Sequence, residues 1–223
     1  MRRLERIIEV FNAAAKGYDE WYAQPAGQVV LRTEAEMLDR VLPRGLGAEV
    51  GAGTCVFPSL LSRDREIVCV DPALGMLSLC RGRCPHLLVG TAEEPPLRRG
   101  SLDFAYMVAV LEFLEDPGRA LATLRDLLKR GGVLAVLFIE RESSWGRLYR
   151  ELAEKRADPV LAVARFVSLG EVLGLVERSG FRVLRILQAL DYEPLTVPEA
   201  EPRVYEGVSC SDCGVALVAA VRG

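Results

Sequence analysis

From residue 46 onward the chain alternates short, nearly continuous apolar runs with longer stretches in which apolar residues return every three or four positions. Runs of the first kind predict buried strands: "LGAEV" (46–50), "EIVCVD" (66–71), "HLLVGTA" (86–92), "LDFAYMVAV" (102–110) and "GVLAVLFIE" (132–140). Helices are predicted between them, over Val56 to Leu61, Ala73 to Arg81 and residues 116–130. In the last of these Leu121, Leu124, Leu127 and Leu128 recur at helical spacing, Asp116 is placed to cap, Pro117 suits the first turn, and Gly131-Gly132 marks the stop. Strand and helix in alternation predict a parallel sheet with helices on both faces.

The two ends of the chain have a different rhythm. "SLGEVLGLVERSG" (168–180) predicts a helix with Ser168 as N-cap, Glu171 at the capping-box position and Gly180 as terminator. "FRVLRILQAL" (181–190) and "GVALVAAV" (214–221) add two strands, for seven in all. The Pro-rich stretch between them is too long for a tight hairpin and suits a loop at a site. Residues 2 to 42 and roughly 144 to 164 are helical segments outside the regular pattern.

Composition narrows the class. The 223 residues suit one sizeable α/β domain, and half of them are hydrophobic. A net charge of −3 gives no clustered basic face for nucleic acid, and Arg2-Arg3 and Arg98-Arg99 read as solvated surface with acidic residues near both. No apolar run nears the roughly 20 residues needed to span a bilayer. "MRRLERIIEVF" has charges among its apolar positions, as an amphipathic helix does and a secretory signal does not, so a cytoplasmic protein is expected. Arginine outnumbers lysine and Asn12 is the single asparagine, which suits a thermophile or a GC-rich genome. That matters for the six cysteines, because some hyperthermophiles keep intracellular disulfides. Three states are open: free thiols, a disulfide within Cys80/Cys84 or Cys210/Cys213, or zinc held by both pairs, although the usual finger flanks are missing. No metal site is assigned.

The candidate chemistry lies in "EVGAGTCVF" (49–57). A strand running into a glycine turn and then a helix offers backbone N–H groups to a ligand. A dinucleotide fingerprint is G-x-G-x-x-G, and here Val56 takes the place of the third glycine. Glu49, at the end of the first strand, would repel pyrophosphate and attract an ammonium or sulfonium group. Asp71 closes the second strand, where an acidic residue can bind both hydroxyls of a ribose. A ligand with a ribose, a positive charge and no phosphate is indicated, and S-adenosylmethionine is one.

Over nearly its whole length the chain resembles the class I S-adenosylmethionine-dependent methyltransferases. "EVGAGTCVF" is similar to that family's acidic-x-Gly-x-Gly loop, and "VCVDPALGML" to the segment carrying its ribose-binding acid. The run from "GTAEEPPLRRGSLDFAYMV" to "GGVLAVLF" resembles its run through the fourth and fifth strands, and "GYDEWYAQPAG" (17–27) the lid entry of a small-molecule subgroup that includes quinone-biosynthesis enzymes. The resemblance implies a Rossmann-like, mostly parallel sheet and a single domain over residues 1–223. Within it, 1–45 form a helical lid, 46–140 the cofactor-binding core, 141–166 a helical insertion, and 167–223 a C-terminal helix and strand pair.

The resemblance also implies cofactor contacts from Tyr18, Glu49, Gly51, Ala52, Gly53, Thr54, Asp71, Pro72, Met76, Ala92, Glu93 and Val108. Met76 would pack on adenine and Ala92-Glu93 would meet its edge. Phe113 stands where family members often carry histidine, so no histidine base is expected there, and the catalytic residue is left unassigned. The segment after the fourth strand is apolar, unlike that of adenine-specific DNA methyltransferases. A small-molecule methyl acceptor is therefore the expected partner. Arg141, Trp145 and Tyr149 are candidates to line its pocket, although Trp145 and Tyr149 at i, i+4 also suit a helix anchor. His86 reads as structural. Two rival functions are a nicotinamide-dependent oxidoreductase and a non-catalytic S-adenosylmethionine-binding protein.

Overall fold

The structure is a computed structural model, and it describes residues 3–223. Arg2, which belongs to the predicted first helix and to the Arg2-Arg3 patch, lies outside the described residues. Two helices precede the sheet, α1 (Arg3–Ala23) and α2 (Pro25–Asp39). The chain breaks at Gln24 because Pro25 has no N–H to continue the first helix and instead opens the second. The break is tight: a Cβ at Gly27 would stand 2.1 Å from the Trp21 carbonyl oxygen.

Eight strands form one sheet: β1 (Gly45–Val50), β2 (Arg65–Asp71), β3 (His86–Val89), β4 (Leu102–Val108), β5 (Leu128–Ile139), β6 (Phe181–Ala189), β7 (Tyr205–Glu206) and β8 (Val215–Arg222). Their order is β3-β2-β1-β4-β5-β8-β6-β7. The first five pair in parallel, and β8 runs antiparallel between β5 and β6. Strand order reverses between β1 and β4, so connections leave in opposite directions there and open a crevice at the carboxyl ends.

The period of two along the strands divides the core between two faces. Phe104, Tyr106 and Val108 pack on one face with Val30, Leu31 and Leu38 of α2. Ala105 and Met107 face the other way, against Leu121 and Leu124 of α4 (Pro117–Leu127) and Val172 and Val176 of α6 (Leu169–Arg178). Caps hold these helices as the sequence indicates: Asp116 accepts from the Arg119 amide at 3.0 Å, and Ser168 and Glu171 complete a capping box. The insertion after β5 forms α5 (Ser144–Glu154) and a 3-10 turn at Leu161–Val163. No helix among the described residues is long and apolar enough to cross a membrane.

Several expectations are corrected. The eighth strand is β7, a two-residue pairing of the Pro-rich stretch with β6. The helix expected over Val56 to Leu61 does not form, because Pro58 holds Phe57 out of the helical region and leaves a turn closed by the Leu60 amide on the Phe57 carbonyl. The next helix is one turn, α3 (Leu74–Leu77), and Leu128 begins β5 rather than ending α4. Cys80 pairs with Cys55 instead of Cys84, since the glycine loop brings the Cys55 and Cys80 Cα atoms within 5.2 Å. Cys84 is turned to the Ile67 carbonyl of β2. Cys210 bonds Cys213, while Cys69 and Cys84 stay free and buried, and no metal-binding cluster occurs among the described residues.

Two outcomes are expected. Alkylation of denatured, unreduced protein should modify two cysteines and reduced protein six, as counted by intact mass. Ser168→Ala removes an N-cap and half a capping box, and should lower unfolding stability in urea by about 1 kcal/mol.

Candidate functional site

The centre of the site is the join between β1 and β2. The chain leaves β1 through Gly51 (φ +75°) and Gly53 (φ +53°), a left-handed path that favours glycine. A Cβ at Gly51 would also meet Val110 at 2.4 Å, whereas one at Gly53 would stand 3.9 Å from its nearest neighbour, a ring atom of Tyr18. Gly51 is therefore fixed by packing against the segment beyond β4, and Gly53 leaves space beside the loop. Asp71, the last residue of β2, accepts the Gly53 amide on one oxygen at 2.9 Å and the Ala73 amide on the other at 2.8 Å. Burial raises its carboxyl above the usual range, with both amides pulling the other way. An ionised carboxylate has about four lone-pair sites, so each oxygen retains acceptor capacity.

Asp71 opens onto a cleft shared with Gly51, Gly53, Pro72, Met76 and Val108. Ala92, Glu93 and Tyr18 line it as well. Its roof is α1, which contributes Ile7, Ile8 and Phe11 and is pinned when Asn12 Oδ1 accepts the Gly75 amide at 2.6 Å. Beneath α1 the cleft has a volume of about 90 Å³.

Three expected cofactor residues do not face this cleft. Ala52 and Thr54 are buried within the loop and line neither cavity. Glu49 sits one residue inside β1, so strand alternation turns its side chain to the face shared with its cross-strand neighbours Cys69 and Tyr106. There the Cys69 thiol donates to Glu49 Oε2 at 3.7 Å, and burial pushes the carboxyl well above the ordinary range. Of the two carboxylates expected to look into one cavity, Asp71 does and Glu49 does not.

A second cavity, of about 600 Å³, lies beyond the tips of β4 and β5. Such a volume falls within the range of small-molecule pockets. Phe11, Tyr18, Ala109 and Phe113 border both cavities, so the two meet at the end of β4. Trp145 and Tyr149 line the second cavity, and Trp145 also anchors α5 by donating its indole N–H to the Tyr192 carbonyl at 3.0 Å. The Pro-rich loop supplies Leu195 to the wall. Arg141 is not brought in: it pairs with Glu142 and Glu171 at the surface. His86 pairs with Glu66 at the start of β3, away from both cavities.

Two residues in this cavity were not singled out from the sequence. Glu34 on α2 is 5% exposed and Glu112, in the 3-10 turn Leu111–Phe113, is 1% exposed. Glu112 Oε1 accepts the Ile139 amide at 2.9 Å, while Oε2 of each residue is buried without a hydrogen-bond partner. Burial raises the Glu34 carboxyl to about 8, with Glu112 adding to the shift, and raises that of Glu112 to about 7. A signal was present, because Glu34 stands four residues from both Val30 and Leu38 on the buried stripe of α2. Tyr18 is also perturbed, its phenol pushed up to about 12 by burial.

Known proteins resemble this chain in sequence and in fold. Residues 48–136 match a family model described as a methyltransferase domain. The crystal structure of a SAM-dependent methyltransferase of Thermotoga maritima, described as a possible histamine N-methyltransferase, superposes with a TM-score of 0.86. It is 30% identical, over 97% of this chain and 100% of its own. An uncharacterized protein of Methanocaldococcus jannaschii is 28% identical over 87% of this chain and 91% of its own length. An uncharacterized methyltransferase of Mycobacterium bovis is 35% identical over 56% of this chain, which spans 54% of that relative's length.

The two buried carboxyls fix a pH dependence. Each ionises more readily in the unfolded chain, near 4.5, than in the folded one. The stability associated with their neutral forms is complete below about pH 4.5 and is lost as pH rises through 7 to 8. Besides Glu112, the groups acting electrostatically with Glu34 are the phenols of Tyr18, Tyr22, Tyr149 and Tyr192. Glu34→Gln and Glu112→Gln should each stabilise the protein against urea at pH 8, by on the order of 1–3 kcal/mol, with the gain disappearing below pH 5.

Proposed function

Because the chain belongs to the S-adenosylmethionine-dependent methyltransferases of class I fold, we propose that it transfers the donor's methyl group to a small-molecule acceptor seated in the larger cavity. The enzyme's donor is S-adenosylmethionine, and S-adenosylhomocysteine is the product left on it. The observation that carries the acceptor reading is the meeting of two cavities at the β4 tip, one built around Asp71 and the other walled by aromatic rings.

The smaller cleft fits the donor on its own features. Asp71 has acceptor capacity for a pair of ribose hydroxyls, and Gly53 leaves the backbone open beside it. Met76 and Pro72 would flank the base, Ala92 and Glu93 would meet its edge, and Val108 would floor the site. Room for a whole nucleoside requires α1 to lift, since the cleft beneath it is well under the roughly 300 Å³ at which ligand pockets begin.

When bound, the donor supplies a methyl already activated by its sulfonium charge. The protein's work is then alignment and exclusion of water. Alignment of reactants can provide roughly 7–11 kcal/mol in favourable cases. Phe11 and Tyr18 of α1 close the junction from above, and Trp145 and Tyr149 wall the acceptor side. A cavity lined by aromatic rings and carboxyl groups, with no Lys, Arg or His, suits a metabolite better than a nucleic-acid strand.

Titration calorimetry with S-adenosylhomocysteine tests the donor site. Wild type should bind, and Asp71→Ala should bind at least about tenfold more weakly while keeping its far-ultraviolet circular dichroism, since two or more hydrogen bonds to a charged group are lost. Full-strength binding by that variant would remove Asp71 from the assignment.

A further inference from the structure

Building on the reading of the larger cavity as the acceptor site, we propose that the acceptor is an organic amine, held as its ammonium ion by Glu34 and Glu112 between aromatic walls and methylated on nitrogen. Three observations converge. First, both carboxyl groups are buried in the same cavity, and each has an oxygen with no partner in the protein. Buried polar atoms of native proteins are nearly always satisfied, so two in one cavity mark the places where a ligand's donors belong.

Second, the lining has one sign. Glu34, Glu112 and Asp158 are its ionisable groups besides tyrosine, and no Lys, Arg or His is among the residues that form it. Asp158 is already used, accepting the Val160 and Leu161 amides at 2.7 and 2.9 Å. A carboxylate or phosphate acceptor would find no counter-charge. A quinone carbonyl has no proton to give and could pair with a Glu only in its protonated form, whereas an ammonium ion brings up to three N–H donors for the two unpaired oxygens.

Third, the walls suit a cation. Tyr18, Trp21, Tyr22, Phe113, Trp145 and Tyr149 present ring surfaces to the cavity, and ammonium ions are attracted to such faces. Tyr18 and Tyr22 meet edge to face at 5.3 Å, as do Trp145 and Tyr149 at 6.0 Å, so the box is braced by its own members.

Glu112 is better placed than Glu34 for the proton, because it follows the β4 tip by a few residues and its Oε1 is held by the Ile139 amide. The ammonium gives one N–H proton to the Glu112 carboxylate. The freed nitrogen lone pair forms the new C–N bond as the methyl–sulfur bond breaks, with the bond's electrons retained by sulfur. The product leaves as a methylated ammonium ion, and Glu112 returns its proton to solvent. The raised carboxyl values make these groups able to hold a proton near neutral pH.

The test is calorimetry on enzyme saturated with S-adenosylhomocysteine, whose own binding is measured first and reports separately on the donor site. The probes are 2-phenylethylamine and 1,4-diaminobutane against the neutral 2-phenylethanol and the anionic 3-phenylpropanoate. At least one amine should bind tenfold or more tightly than the alcohol, and the acid should not bind. Glu34→Gln and Glu112→Gln should each erase the preference for amine over alcohol while S-adenosylhomocysteine affinity is kept. Labelled donor with the bound amine should give an N-methyl product. Equal or tighter binding of the alcohol or acid, no binding by either amine, or a preference that survives both substitutions overturns the proposal. The wild-type comparison stands even if a variant fails to fold.

Discussion

A single carboxylate joins the two strand tips on which the site is built. Asp71 ends β2 and accepts the amides of Gly53, in the loop after β1, and of Ala73, at the entry to α3. That pair of bonds fixes the left-handed glycine path, and the path brings Gly51 against Val110 beyond β4. Three successive strand ends in space are therefore placed relative to one another by one side chain and one close contact. The disulfide between Cys55 and Cys80 ties the same loop to the segment after α3. The missing helix after the glycine loop is tolerable in this arrangement, since the loop is held by covalent and hydrogen-bonded links rather than by helix packing.

The larger cavity follows a different rule. The core clusters are apolar and well filled, yet beside them the protein keeps two carboxyl groups out of water with incomplete pairing. Such groups lower stability, and native proteins tolerate them where binding needs a polar group pointed at a ligand. Glu49 is the instructive contrast. It is nearly as buried as Glu112, but its thiol and phenol neighbours belong to the sheet interior and it lines neither cavity.

The fold was largely legible because its signals are local and repeated. Continuous apolar runs gave the strands, and Asp116, Ser168 and Glu171 cap the helices for which their chemistry suits them. The failures have local causes too. Pro58 cancels a helix that the apolar residues around it favour, and β7 exists by tertiary pairing, with no pattern of its own. Motif position pointed to Asp71, Met76 and Tyr18, and all three line the smaller cleft. Glu49 was misplaced because a motif fixes a residue's place in the chain and not the face to which its strand turns it. Glu34 and Glu112 escaped notice because they are remote in sequence from the glycine loop, and meet only when α2 and the β4 tip converge. The Cys55–Cys80 bond was hidden likewise, its partners being 25 residues apart.

One helix roofs both chambers. Phe11 and Tyr18 of α1 border the smaller cleft and the larger cavity alike, so the two share part of one wall. A displacement of α1 would therefore reshape the two together. The contact that holds this helix in place, Asn12 Oδ1 with the Gly75 amide, thus bears on the shape of both.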